Sequence, residues 1–224
     1  MNALITGCNR GIGLALAIEF AAHGWHVFAT ARKPSIPELK KFENVTVLPL
    51  DVTDDASVAR LAASLTGPID VLVNNAAVFP GEGRERLEET EIAWFGEAFD
   101  CNVTGPARVI RACLPLLRKA KQARVANISS GAGSISEKED FAYYPYSVSK
   151  AALNMLTRAI AAELRGEGIV VSAISPGWVQ TEMGGENAPL TTKESAASLF
   201  KTITTLTADQ AGEFLGRDGE RYAW

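Results

Sequence analysis

Three tyrosines crowd the stretch FAYYPYSVSKAALN at 141–154, and only Tyr146 has a lysine four residues on, at Lys150. In a helix, residues i and i+4 share one face, so this phenol and this ammonium can address one small molecule together. A phenol with an ordinary pKa of about 10 is a poor base at neutral pH. A nearby ammonium favours the phenolate and is expected to lower that value. The pair therefore reads as a proton-transfer device. Lysine is common on solvated helix faces, so the pattern acquires meaning only from the elements around it. Tyr143 and Tyr144 lack a lysine at that spacing and read as packing or pocket-wall residues.

Those elements alternate. Short, continuous, β-branched runs at 2–6, 26–31, 45–50, 69–75, 123–129 and 169–175 predict strands, with a last short one at 212–215. Helical segments are predicted at 12–22, 55–65, 146–165 and 192–206, with Asp54 or Asp55 capping the second. Two more helices are expected within 86–120, meeting near the Gly105-Pro106 step. Strands without polar alternation belong to a parallel sheet covered on both faces. The predicted fold is α/β: one doubly wound domain over 1–224, with a mostly parallel sheet of about seven strands flanked by helices.

The first strand runs directly into TGCNRGIG at 6–13, and a helix follows. Glycines here permit a tight turn, close approach of backbone to a pyrophosphate, and close helix–strand packing. The helix start adds free N–H groups and partial positive charge. Gly7, Gly11 and Gly13 are the candidates, in a G-x-x-x-G-x-G spacing. An acid at the end of the second strand would bind a ribose 2′-hydroxyl and repel a 2′-phosphate. That strand instead ends TARK, with Arg32 and Lys33, and Arg10 lies in the glycine loop. Guanidinium suits phosphate in shape and charge, so NADP(H) is favoured over NAD(H).

Bulk properties remove other classes. A net charge of −4 and a pI near 5.4 make no electrostatic case for nucleic acid or an acidic membrane surface. No apolar run approaches the roughly 18 residues of a membrane span. Cys8, Cys101 and Cys113 show no CxxC spacing, which argues against a disulfide framework or zinc site and fits a reduced, cytoplasmic compartment. The two histidines, His23 and His26, and the absence of GxSxG argue against a serine hydrolase; no metal site is expected.

The ordered motifs resemble the short-chain dehydrogenase/reductase family over almost the whole chain. TGCNRGIG is similar to its TGxxxGIG, DVTD (51–54) to its adenine-side segment, NNAA (74–77) to NNAG, and SPGWVQTEM (175–183) to PGxVxT. NVTG, NISSGAG and YSVSK supply Asn102, Ser130, Tyr146 and Lys150. The resemblance implies a Rossmann fold and an NADPH-dependent carbonyl reductase or alcohol dehydrogenase. Tyr146 would act as general acid toward a ketone or aldehyde, Ser130 would orient the carbonyl oxygen, and Lys150 would bind the nicotinamide ribose and lower the tyrosine pKa. Asn102 would hold a relay water. It also implies cofactor contacts from Gly7, Asn9, Arg10, Gly11, Ile12, Gly13, Arg32, Asp51, Val52, Asn75, Ala76, Ala77, Lys150, Pro176, Gly177, Val179 and Thr181. Ser129 competes with Ser130, and the spacing of sixteen residues to Tyr146, as in the related branch, selects Ser130.

The details are most similar to a small carbonyl-reductase-like branch that includes C-factor-like proteins. That likeness keeps a second reading open, a non-catalytic dinucleotide-binding regulatory or signalling protein. The filled Tyr, Lys, Ser and Asn positions favour the enzyme. The substrate pocket is expected from residues 78–90, 131–145 and 182–195, with a mobile substrate loop at about 182–195; 134–145 reads as a lid or a plain surface loop. Trp178 reads as a nicotinamide shield or a core residue. The partner expected is a small carbonyl or alcohol. Assembly as monomer, homodimer or homotetramer stays open.

Overall fold

A computed structural model describes residues 1–83, 85–139 and 142–224. Seven parallel strands form one sheet in the order β3-β2-β1-β4-β5-β6-β7. They are β1 (Asn2–Ile5), β2 (His26–Ala31), β3 (Val45–Pro49), β4 (Val71–Asn74), β5 (Arg124–Ile128), β6 (Val170–Ser175) and β7 (Phe214–Gly216). The order reverses between β1 and β4, where a doubly wound sheet opens its crevice beyond the strand carboxyl ends.

Alternate side chains on each strand serve opposite faces. Ala3 and Ile5 of β1 pack with Leu16, Phe20, Leu199 and Ile203, from helices α1 (Gly11–Ala22) and α6 (Thr192–Thr205). Leu4, between them, joins the opposite core with Val58, Leu61, Val109, Leu117 and Leu164. Those come from α2 (Asp55–Ser64), α4 (Gly105–Leu117) and α5 (Tyr144–Leu164). Burial on both faces explains why the strands read as unbroken apolar runs.

Several boundaries move. Asp54 caps α2, accepting from the Ala56 N–H at 2.9 Å. The last strand lies at 214–216, not 212–215. The long helix starts at Tyr144 rather than Tyr146, because Pro145 fits a first helical turn, where its missing N–H costs nothing. The 86–120 segment holds α3 (Ile92–Phe99) and α4 joined without a break by a π turn, Asp100–Thr104. No helix among the described residues is long and apolar enough to cross a membrane.

Candidate active site

A cleft of about 1250 Å³ opens at the strand-order reversal. Its walls bring together most of the predicted residues: Gly7, Asn9, Arg10, Gly11, Ile12, Arg32, Asp51, Val52, Asn75, Ala76, Ala77, Tyr146, Lys150, Pro176 and Thr181.

The glycine loop and the Asn75–Ala77 segment are interlocked. The Thr6 hydroxyl accepts from the Asn75 and Ala76 N–H groups at 2.9 and 3.0 Å, and Asn75 Nδ2 donates back to the Thr6 carbonyl at 2.9 Å. Gly13 makes this possible: a Cβ there would fall 2.2 Å from the Gly7 oxygen and 2.4 Å from Asn75 Nδ2. Gly13 therefore works behind the cleft wall. Gly7, at φ +73°, takes a left-handed conformation, and its own Cβ would meet Ala76 Cα at 2.9 Å. No acid occupies the first turn of α1, so its N–H groups carry undiminished positive character toward the cleft. A backbone cradle closed to any Cβ, at a helix start and beside arginines, fits a dinucleotide pyrophosphate.

Gly177 and Val179 also stand behind the wall. A Cβ on Gly177 would strike Leu190 at 2.6 Å, and Val179 is buried in a bridge to Leu190. Trp178 is neither shield nor core. Its ring is 58% exposed, off the cleft wall, and its indole N–H donates to the Gly184 carbonyl at 2.7 Å.

Tyr146 and Lys150 share a face of α5, as their spacing requires. Lys150 Nζ lies 5.4 Å from the centre of the Tyr146 ring and donates to the Ile128 carbonyl at 2.8 Å. Burial pulls the Lys150 pKa down to about 8, with a weaker opposing pull from Cys101. The Tyr146 ring keeps part of its surface open to the cleft, yet protein packed around the phenol pushes its pKa up to about 12; a hydrogen bond with Ser130 works weakly against this. The expected lowering by Lys150 is thus overturned. The ammonium sits over the ring face and is itself desolvated, and burial is the dominant cause of both shifts.

The two serines separate. Ser129 is buried and donates to Asn154 Oδ1 at 2.6 Å, whereas Ser130 accepts from the Ala132 N–H at 3.2 Å and interacts with the phenol. Asn102 sits in the π turn, 1% exposed and off the cleft wall. Its Nδ2 donates to the Val78 carbonyl and to Ser149 Oγ, both at 3.0 Å, and its Oδ1 accepts from the Val78 N–H at 2.8 Å. Ser149 passes the contact on by donating to the Tyr146 carbonyl at 2.7 Å. An interrupted helix at such a position is a frequent mark of a functional site.

Other neighbours come partly from the expected pocket segments 78–90 and 182–195 and partly from outside them. Phe79 packs on Tyr146 at 5.0 Å and on Tyr143 at 5.4 Å, which makes Tyr143 a packing residue as read. Tyr143 holds a left-handed φ of +65° at the start of α5, where its carbonyl accepts from the Ser147 N–H at 2.7 Å. Cys101, Glu97 and Asp100 line the cleft from outside those segments, and Glu182 and Met183 line it from the expected 182–195 segment. Arg108 fastens two parts of the wall. It donates to the Val52 and Asp100 carbonyls at 3.4 Å and to the Asp100 and Asp55 carboxylates at 2.7 and 3.1 Å. Asp51 is held below the usual carboxylate range, chiefly by the Thr53 hydroxyl at 2.7 Å and backbone N–H at 3.0 Å, with Arg32 adding attraction. In the 134–145 segment, Ser136 is tied through its N–H and hydroxyl to the Trp224 carbonyl at 2.7 and 2.6 Å; Asp140 and Phe141 lie outside the described residues. Arg84, in the expected 78–90 pocket segment, lies outside them too.

With sheet, glycine cradle and Tyr–Lys face in place, comparison with known proteins identifies the class. Residues 1–190 match the short chain dehydrogenase family, and the chain belongs to it. Among curated relatives, C-signal of Myxococcus xanthus is 40% identical over 160 residues, covering 71% of this chain and 95% of that protein. The NADPH-dependent pterin aldehyde reductase of Arabidopsis thaliana is 35% identical over 190 residues, covering 81% of this chain and 76% of that one. Among solved structures, carbonyl reductase Sniffer of D. melanogaster superposes with a TM-score of 0.93 at 32% identity, covering 100% of this chain and 99% of that one. An NADPH-bound carbonyl reductase from chicken fatty liver gives 0.90 at 33%, covering 100% and 98%.

Proposed function

We propose that the protein is an NADPH-dependent carbonyl reductase whose proton donor is Tyr146. The observation that carries this is the shared face of Tyr146 and Lys150 at the cleft, with Nζ 5.4 Å from the ring centre: the phenol is protonated at neutral pH and can give its proton to a developing alkoxide. NADPH, when bound, supplies the hydride that reaches the carbonyl carbon. Tyr146 Oη transfers its proton to the carbonyl oxygen, and the product leaves as an alcohol. Ser130, beside the phenol, donates to the same oxygen and holds it in line. Lys150 holds the ribose and, once the phenol has given up its proton, stabilises the phenolate. Reprotonation through Asn102 would use its main-chain carbonyl, since both side-chain N–H bonds go to Val78 and Ser149. The glycine cradle would hold the pyrophosphate, Asp51 and Val52 the adenine side, and Arg10 and Arg32 the 2′-phosphate. Pro176 and Thr181 would border the nicotinamide, with Gly13, Gly177 and Val179 supporting from behind.

Calorimetric titration with NADPH and NADH, followed by NADPH oxidation with a panel of aldehydes and ketones, tests the reading. Tyr146→Phe is expected to retain NADPH binding and lose turnover by about 10²–10⁴-fold. Unchanged turnover in that variant overturns the assignment of the donor. The likeness to C-signal favours a second reading, a dinucleotide-binding signalling protein; nucleotide binding without turnover of any carbonyl in the wild type would support it.

A further inference from the structure

Arg10 was expected as a free cation for phosphate, but in the structure it is paired with Glu182. The two face each other from opposite walls of the cleft, Arg10 at the N-terminal boundary of α1 and Glu182 in the segment after β6. That segment lies directly on the glycine loop: a Cβ on Gly11 would sit 3.4 Å from Thr181 Cγ2. Glu182 occupies a built turn. The Gly185 N–H donates to the Thr181 carbonyl at 2.8 Å and the Gly184 N–H to Thr181 Oγ1 at 2.9 Å. The Trp178 indole closes the turn from outside through the Gly184 carbonyl. A Cβ on Gly184 would fall 2.0 Å from the Val179 oxygen, so only glycine allows this turn. The carboxylate is thus presented to Arg10 by a defined backbone.

The cleft is also less basic than its arginines suggest. Four acids line it, Asp51, Glu97, Asp100 and Glu182, against four cations, Arg10, Arg32, Lys33 and Lys150. Arg32 already attracts Asp51, and Lys150 is buried at the inner end of the cleft, donating to the Ile128 carbonyl. A dianionic phosphate entering the mouth therefore meets an arginine already paired with a carboxylate. Both partners are largely exposed, 65% and 71%, so the pair is weak enough to be exchanged for a better anion.

Building on the function proposed above, we infer that Glu182 sets the dinucleotide preference by competing with the 2′-phosphate of NADP(H) for Arg10. The phosphate gains the guanidinium only by releasing Glu182. NADH carries no 2′-phosphate and makes no such exchange.

Titration calorimetry of wild type, Glu182→Gln, Arg10→Met and the double variant with NADPH and NADH tests this. Glu182→Gln is expected to tighten NADPH roughly two- to five-fold, in the range of exposed ion pairs, and leave NADH unchanged. The gain is expected to shrink at high salt and to vanish on the Arg10→Met background. Equal tightening of both nucleotides, no change for NADPH, or a gain that persists without Arg10 each overturns the inference while leaving the carbonyl reductase reading intact. A wild type that binds neither nucleotide overturns both.

Discussion

The inner end and the mouth of the cleft each set a cationic side chain beside an acidic one, and the two pairs behave in opposite ways. At the inner end Lys150 is 3% exposed, and burial shifts its proton affinity and that of Tyr146 well away from ordinary values. At the mouth Arg10 and Glu182 face water and each other, in a pairing that solvent weakens. Burial moves the proton affinities of a lysine and a tyrosine in opposite directions, whereas exposure leaves an arginine and a glutamate in a solvent-weakened pair. In the proposed reading the inner end does the chemistry and the mouth selects the nucleotide.

The largest expected effect lies at the floor joining the two. Gly13→Ala places a methyl 2.2 Å from the Gly7 oxygen, so either the loop or Asn75 must move. A stability loss of about 3 kcal/mol and loss of detectable NADPH binding are expected, read by denaturant titration and calorimetry. Wild-type binding by this variant would show that the interlock is dispensable.

Lys150→Met isolates the inner end through pH. The folded-state pKa is about 8 against an ordinary 10.5, so between those values the unfolded chain binds the extra proton and the folded state gains stability as pH rises. Relative to Lys150→Met, wild type is expected to gain up to about 3 kcal/mol across that window, or several degrees in Tm. A constant difference from pH 7 to 10.5 would contradict the desolvation of Nζ.

Arg108 tests whether the two ends are independent. It joins Val52, on the cleft wall, to Asp100, which begins the turn carrying Asn102. Arg108→Met is expected to cost about 1–3 kcal/mol of stability and to weaken NADPH affinity and kcat together; Arg108→Lys should recover little, since an ammonium cannot reproduce the fork. A fall in one parameter alone would separate the ends.

Legibility followed sequence distance. The Tyr146–Lys150 face and the glycine loop were readable because their geometry is set within one or two turns of chain. The strands were readable because burial on both faces leaves continuous apolar runs. Arg108 was not, and Phe79 and Glu182 were placed only within the broad pocket segments 78–90 and 182–195, since each meets its partner only after the chain has folded across the sheet. Glu182 had one local cue: it follows Thr181 within the PGxVxT-like segment. The direction of the tyrosine shift was misread because spacing reports which groups are near, while desolvation depends on everything packed around them. The start of α5 was misplaced by two residues because Pro145 was not counted as a first-turn residue.

The strand order also has a consequence for the time at which the site comes into being. The strand nearest the N-terminus, β1, lies inside the sheet, and its second neighbour, β4, begins only at Val71. From β4 onward each new strand docks on the one before it, through β5 and β6 to β7. On a ribosome this half of the sheet can grow outward in step with synthesis, one edge strand at a time. The nucleotide cradle needs only β1, α1 and the end of β4, but its far wall, Pro176 and Thr181, follows β6. An emerging chain would thus present the glycine-loop half of the cleft before the half bearing Pro176 and Thr181, with β4 an open edge until β5 docks on it and β5 an open edge until β6 does.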